Sequence, residues 1–235
     1  MELAPIVIFA YNRPDKTLSV IDSLKKNNMA KQSDLYVFSD GINKSKKDDF
    51  FKVNCVREII KSTDGFKSIK IIKRNTNLGL YKNITSGLDY IFKKRKKAII
   101  LEDDIVVSQN FLKYMNDSLI IYENDSQVGS ICSNLSKNKE KLPNTFFLHH
   151  QDCWGWGTWK RSWKLFNNDS QKLLKKMKDQ GLEKKFNLEN KYNFSRLLKQ
   201  NQIKKRSWAV NWYASLFIHK KLNLYSSIPM SKNIG

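Results

Sequence analysis

The chain is poor in the residues that build loop-rich or cross-linked folds, with 9 glycines, 4 prolines and 3 cysteines among its 235 residues. Cys55, Cys132 and Cys153 are odd in number, far apart and without a CxxC spacing. That argues against a disulfide framework or a structural zinc site, and for reduced thiols in a cytoplasmic protein. No Pro/Gly/Ser-rich linker divides the chain, and no internal repeat is visible. No stretch approaches the ~20 apolar residues that a membrane span needs. The run Ile6 to Ala10 is too short for the apolar part of a signal sequence, and the residues before it lack a basic segment. Triplets such as Asn83-Ile84-Thr85 therefore read as products of an Asn-rich composition, and any membrane contact is expected to be peripheral. Acidic residues are scarce as well: 22 Asp and Glu against 43 Lys and Arg give a formal charge of +21. Such a balance favours an anionic partner, whether a nucleotide, a nucleic acid or an acidic lipid surface.

What is present suits one sizeable globular domain, with 40% hydrophobic and 12% aromatic residues. Pro5 to Tyr11 reads as a buried strand, and Pro14 fits the first turn of the helix that follows, with Leu18, Ile21 and Leu24 on one face. Leu35 to Phe38 forms a second strand that breaks at Ser39-Asp40-Gly41. Phe51, Val56, Ile59 and Ile60 mark a second helix, and Ser68 to Ile72 a third strand. After the Asn75-to-Leu80 loop, a helix from about Tyr81 to Lys94 buries Ile84, Leu88 and Ile91. A fourth strand starts at Ala98. This fourfold alternation predicts an α/β fold with a Rossmann-like, doubly wound, mainly parallel sheet. Asn110 to Tyr122 is a further amphipathic helix, and Val128 to Cys132 a further strand. Beyond Asn144 aromatics crowd into Cys153-Trp154-Gly155-Trp156-Gly157-Thr158-Trp159 and again into Ser207 to Tyr213, with a lysine-rich helical stretch at Ser170 to Lys185 between them. Residues 1–135 are expected to form a ligand-binding half and 136–235 a second half of the same domain.

The fourth strand, Ala98 to Leu101, has the composition of a strand buried on both faces, and it ends in Glu102-Asp103-Asp104. A buried strand cannot continue through three carboxylates, so the chain must surface there. In an open parallel sheet the carboxyl ends of strands face the ligand crevice. Three adjacent carboxylates repel one another, and a divalent cation with hard oxygen ligands relieves that repulsion. The plainer alternative is a solvated acidic turn.

Four features in order are similar to the nucleotide-sugar half of a GT-A-type glycosyltransferase: Tyr11-Asn12-Arg13-Pro14 after the first strand, Phe38-Ser39-Asp40-Gly41, Asn77-Leu78-Gly79 ahead of a helix, and Glu102-Asp103-Asp104. The Glu-Asp-Asp form resembles that of the N-acetylglucosaminyltransferase I-like enzymes and of bacterial family 2-like sugar transferases. The resemblance implies a GT-A-type single domain that is a metal-dependent hexosyltransferase of polysaccharide biosynthesis. Its donor would be a nucleotide sugar of the UDP type, its acceptor a polysaccharide or lipid-linked saccharide, and its reaction inverting. By that resemblance Asp104 would hold Mn²⁺ or Mg²⁺, Asp103 the ribose and Glu102 the nucleoside side. Asp40 and Arg13 would meet the base, ribose or diphosphate, with Ala10, Tyr11 and Gly79 lining the donor site. The expected location is the cytoplasm, peripheral at the inner face of the membrane.

Trp154, Trp156 and Trp159 are candidates to stack on an acceptor sugar, the first two with flanking glycines that leave room for the ring, against the alternative that they are core. The resembling enzymes draw a catalytic base from a late Trp-Asp-Asp-Trp segment. Here the counterpart is Trp208-Ala209-Val210-Asn211-Trp212, and Asn211 cannot act as a base. Asp152 is the substitute candidate, with His149 and His150 beside it. Related bacterial transferases continue beyond the position of Gly235 into a glycine-rich segment that can carry a metal-binding histidine, so the resemblance leaves open either a truncated sequence or a naturally shortened form. Two other readings stay open: a basic nucleic-acid-binding protein, which would gather lysines and aromatics on one surface, and an inactive sugar-nucleotide-binding relative.

Overall fold

The computed structural model describes residues 2–135, 141–205 and 207–235, so the boundary expected near residue 135 abuts a segment outside the description. In chain order the elements are β1 (Ile6–Ala10), α1 (Pro14–Lys25), β2 (Asp34–Ser39), α2 (Asp49–Lys61), β3 (Ser68–Lys73), α3 (Gly79–Lys94) and β4 (Lys97–Glu102). They continue with β5 (Ile105–Val107), α4 (Phe111–Ile121), β6 (Val128–Cys132), β7 (Thr145–Leu148), β8 (Trp156–Trp159) and α5 (Lys160–Trp163). The last are α6 (Ser170–Asp179), α7 (Glu183–Phe186), α8 (Phe194–Ile203), α9 (Trp208–Ile218), β9 (Leu222–Ser226) and β10 (Ser231–Asn233).

The main sheet has the order β3-β2-β1-β4-β8-β6-β9-β7. Its first four strands are parallel, with Ile8 opposite Val37 on one side and Leu101 on the other. The chain moves outward from β1 to β3 and then returns to lay β4 on the far side of β1. The carboxyl ends of β1 and β4 therefore flank a topological switch point, where open α/β sheets bind ligands. The expectation of a mainly parallel sheet holds for this half. Beyond β4 the sheet is mixed: β8 runs antiparallel to both β4 and β6, and β7 antiparallel to β9. Because β8 is wedged between β4 and β6, residues after 141 complete the same sheet.

Strand alternation sorts the core into two faces. Ile6, Ile8 and Ala10 join Leu35, Val37, Ile99 and Leu101 under α1, α2 and α4. Val7, Phe9, Ala98 and Ile100 face the other way, onto α3, α9 and the tryptophans. A third layer, α6 to α8, covers the outer side of α9 through Leu173, Met177, Phe186 and Leu198 against Tyr213 and Phe217. Two helix phases differ from expectation. In α1 the buried row is Thr17, Val20, Ile21 and Leu24, and Leu18, one step round the helix, is 46% exposed. In α2 the buried row is Asp49, Val53, Val56 and Ile60. That puts Phe51 on the opposite side, 73% exposed, and leaves Ile59 only half-buried. The lysine-rich stretch is also two helices, interrupted at Gly181, whose φ of +64° ends α6.

Trp156 and Trp159 belong to this core. The Trp156 ring stacks on Trp208 at 5.6 Å and meets Trp212 at 5.7 Å. Trp159 donates its indole N–H to the Leu119 carbonyl at 3.0 Å, with the Arg161 guanidinium 4.3 Å from its ring centroid. Period-two alternation in the short β8 puts these two rings in opposite layers, so neither faces solvent. Truncating Trp156 to alanine should destabilise the protein by about 3–5 kcal/mol. Trp154→Ala, at an exposed position, should cost under about 1 kcal/mol. Denaturant unfolding of the two variants measures both.

Candidate active site

The site is built from the chain leaving β1 and β4. Strand β4 is buried from Ala98 through Leu101, and its last residue, Glu102, is only half-buried. Asp103 and Asp104 follow as a turn and are themselves buried. Their charge is met from β1. The Tyr11 N–H donates to Asp103 Oδ2 at 3.0 Å, and Arg13 Nε to Asp103 Oδ1 at 3.1 Å. Arg13 Nη2 bonds the same Asp103 oxygen, while Nη1 reaches Asp104 Oδ2 at 2.9 Å. Arg13 is held in place because Pro14 opens α1 directly after it and the Arg13 carbonyl accepts from both the Thr17 N–H and hydroxyl. One guanidinium thus bridges two carboxylates, the planar match for which arginine is suited.

The three acids differ electrostatically. Burial, followed by the charges of Asp104 and Asp103, pushes Glu102 up to about 7, opposed by Arg13 and the Trp208 indole. Burial also raises Asp103, against the pull of Arg13 and the Tyr11 N–H. The main chain after β10 closes the far side: β10 pairs antiparallel with β5, and the Ile234 N–H donates to the Asp104 carbonyl at 2.9 Å. Lys16 bonds the Ile234 carbonyl, and no room is left for a β-carbon at Gly235 beside the Asp104 carboxylate.

Asp40, at the end of β2, is engaged by the surrounding loops. It is buried, and its carboxylate accepts the N–H groups of Gly41 (2.8 Å), Leu78 (2.8 Å) and Gly79 (3.0 Å), with the Asn77 amide at 3.2 Å. Four donors thus engage its two oxygens. It ties the loop after β2 to the first turn of α3, where Gly79 adopts a φ of +72°. Gly41 permits that approach, since a β-carbon there would overlap the Thr76 main chain. The Ala10 carbonyl is likewise occupied, by the Asp40 N–H at 2.8 Å.

Sequence reasoning missed Asp49. It accepts from the Tyr11 hydroxyl (2.8 Å), the Asn12 amide (2.6 Å) and the Asn43 N–H (2.7 Å). Burial works against it, yet these donors hold its carboxyl below the usual range, and so they anchor the loop carrying Tyr11 and Arg13. In the sequence it looked like any acid at a helix start. Beside it the loops after β2 and β3 enclose a cleft of about 740 Å³ lined by Asn43, Lys46, Phe50, Asn75 and Asn77.

On the other flank, the pairing of Ile100 with Trp156 brings residues 152–155 alongside the end of β4. Trp154, 45% exposed, lines a second cleft of about 590 Å³ with Val106, Val107, Met230 and Lys232. Asp152 Oδ1 accepts the Trp154 N–H at 2.8 Å, and burial raises this carboxyl. Burial keeps His150 neutral, down to about 4, with its Nδ1 3.2 Å from the Tyr225 hydroxyl. His149 is exposed, with its Nδ1 bound to the Lys221 carbonyl at 3.0 Å. Asn211 is sealed in α9 among Ser170, Asn201 and the Asn167 carbonyl.

The structure therefore brings together Tyr11, Arg13, Glu102, Asp103 and Asp104, places Asp152 and Trp154 beside them, and withdraws Asp40, Trp156 and Trp159 into the scaffold. A family model described as the GNT-I family matches residues 1–185. The chain belongs to the GNT-I family. Among solved structures, residues 1–349 of TarS from S. aureus superpose with a TM-score of 0.51 at 12% identity, over 97% of this chain and 59% of that one. The mannosyltransferase PcManGT from Pyrobaculum calidifontis, solved with GDP-Man and Mn²⁺, gives 0.40 at 11% identity, over 55% of this chain and 37% of that one. This GNT-I family chain thus spans less than two thirds of the solved chains it matches. No curated protein matches it. The fold is that of GT-A glycosyltransferases, with the acidic triplet at its switch point.

For a cation, the donor set at that point is hard oxygen from Asp104, beside Asp103. Among the described residues no group of three His, Cys, Asp or Glu side chains could form a complete cage. One or two carboxylates suit Mg²⁺ or Mn²⁺ shared with phosphates, which keeps much of its coordination outside the protein.

Two outcomes test this description. Asp40→Ala removes the acceptor of three backbone N–H groups and should cost about 2–4 kcal/mol in denaturant unfolding. Glu102 is protonated in the folded protein at pH values where the unfolded chain has lost the proton. Its contribution is therefore lost as pH rises from the ordinary carboxylate value of 4.5 through about 7. Stability measured against pH should decline across that window, and Glu102→Gln should flatten the decline.

Proposed function

We propose that the protein is a metal-dependent glycosyltransferase that moves a sugar from a nucleotide sugar of the UDP type to a saccharide or lipid-linked saccharide acceptor, with inversion. The observation that carries this reading is the buried pair Asp103 and Asp104, bridged by Arg13, at the switch point of a GNT-I family fold. One guanidinium against two carboxylates leaves a net negative charge, which a cation can meet by exchange of partners. The cation would be held by Asp104 and, when bound, supplies Lewis-acid stabilisation of charge on the departing diphosphate.

The chain's own residues account for the remaining work. Arg13 touches both carboxylates, and a guanidinium released from them meets a phosphate with the same planar fork. Asp103, fixed by the Tyr11 N–H, presents an acceptor to the ribose hydroxyls. Tyr11 lies between the carboxylates and the cleft formed by the loops after β2 and β3, with Lys46 5.3 Å from its ring centroid, and that cleft is the place for the nucleoside. Support for an acceptor comes from Trp154, whose exposed indole lines the apolar cleft reached along β5 from Asp104. A pyranose presents an apolar face that stacks on such a ring. Asp152 is the base for the acceptor hydroxyl, since burial raises its proton affinity against the hydrogen bonds from the Trp154 N–H and the Asn134 side chain.

The decisive experiment is calorimetric titration of nucleoside diphosphates into the protein with and without Mn²⁺, repeated with Asp104→Asn. One nucleotide should bind in a metal-dependent way, and the variant should lose at least about tenfold in affinity, ~1.4 kcal/mol. A folded sample that binds none of them overturns the reading.

A further inference from the structure

We propose that the outer face of the layer formed by α6, α7 and α8 docks on an anionic lipid bilayer. Residues 170–205 hold eleven lysines and arginines against three acids, a net +8 of the chain's +21 in about a seventh of its length. The fold sorts them. The inner sides of α6 and α8 are consumed by Leu173, Met177 and Leu198 packing on α9. Lys172, Lys175 and Lys176 consequently line the outer side of α6, and Arg196 and Lys199 that of α8, all exposed. Acids neutralise only part of this face: Lys175 pairs with Asp179 at 3.0 Å and Lys184 with Glu189 at 3.3 Å. Among the described residues Lys176, Lys178, Lys185 and Lys199 make no ion pair.

Charge alone would suit any polyanion. The same face also carries Tyr192, Leu197 and Ile203, the last 93% exposed, and apolar side chains standing among lysines match a headgroup layer with acyl chains beneath it. The other basic run, Lys93 to Lys97, lacks these features. It sits at the amino end of β4, where Arg95 is bound to Glu2 and Asp34 and Lys97 to Glu123. The α8 end, in contrast, lies on the carboxylate side of the sheet, with Lys205 5.3 Å from the ring centroid of Tyr81 in the first turn of α3. A bilayer on this face would leave the carboxylates beside the surface from which a lipid-borne acceptor projects. The docking itself is independent of the donor chemistry.

The test is flotation of the full chain with vesicles of phosphatidylcholine containing about 30% phosphatidylglycerol, against phosphatidylcholine alone. Binding is expected only to the anionic vesicles, weakening with salt. Lys176→Glu with Lys199→Glu should lower it at least about tenfold, and Ile203→Ser about fivefold. Lys94→Glu with Lys96→Glu, of equal charge change, should stay within about twofold of wild type. Circular dichroism checks that each variant is folded. Equal loss from both charge pairs, or no effect of Ile203→Ser, overturns the proposal. So does tighter binding of a mixed-sequence single-stranded oligonucleotide than of the vesicles.

Discussion

Three consecutive carboxylates at the end of a strand that is buried on both faces must be neutralised locally, because burial in low dielectric disfavours each charge and each disfavours its neighbours. Here the neutralising group comes from the adjacent strand. The parallel register of β1 and β4 brings the loop after Ala10 level with Asp103 and Asp104, so that the Tyr11 N–H and the Arg13 guanidinium converge on them. Much of the surrounding structure serves that meeting. Pro14 and the Thr17 hydroxyl start α1 at the right residue, Asp49 holds Tyr11 and Asn12, and β10 closes against β5 behind Asp104.

Around this centre the buried polar groups divide into those that build and those that remain available. Asp40 and Asn211 have their hydrogen bonds filled by neighbouring loops and helices, and a side chain so engaged cannot exchange partners without loss of the fold. Arg13 differs, since it is partly exposed and its bonds are to carboxylates that a cation could take over. The tryptophans divide the same way. Trp156 joins Trp163, Trp208 and Trp212 in one cluster behind β4, and Trp208 comes up against Glu102. Burial and the charges of the neighbouring acids raise that carboxyl, while the hydrogen bond from the Trp208 indole draws it down. Of Trp154, Trp156 and Trp159 the first alone is left to solvent, because the turn with Gly155 at a φ of +81° directs it out of the sheet.

Membership of the GNT-I family and a GT-A fold explain why an α/β sheet of this order presents acids at its switch point, while the chemistry rests on the site itself. The third layer is different in kind. Helices α6 to α8 touch neither carboxylate, and their inner face is satisfied by α9. Their outer face concentrates exposed lysines, several of them without an ion pair among the described residues.

Local pattern was enough for the first four strands and the helices between them, because a run such as Ile99-Ile100-Leu101 can be satisfied only in the middle of a sheet. The abrupt change to Glu102-Asp103-Asp104 likewise announced a site at a strand end. Helix phase was less legible. Leu18 and Phe51 are apolar, but Thr17 and Asp49 take the inward positions, because the Thr17 hydroxyl donates to the Arg13 carbonyl and Asp49 accepts from Tyr11, Asn12 and Asn43. The sequence by itself determined which residues must be buried and where the acids must surface. Only the tertiary structure decided which acids are free, because the donors that occupy Asp40 and Asp49 come from segments up to 39 residues away. For the same reason Trp156 and Trp154, neighbours in one aromatic run, part company: insertion of β8 between β4 and β6 buries one and leaves the other at the rim.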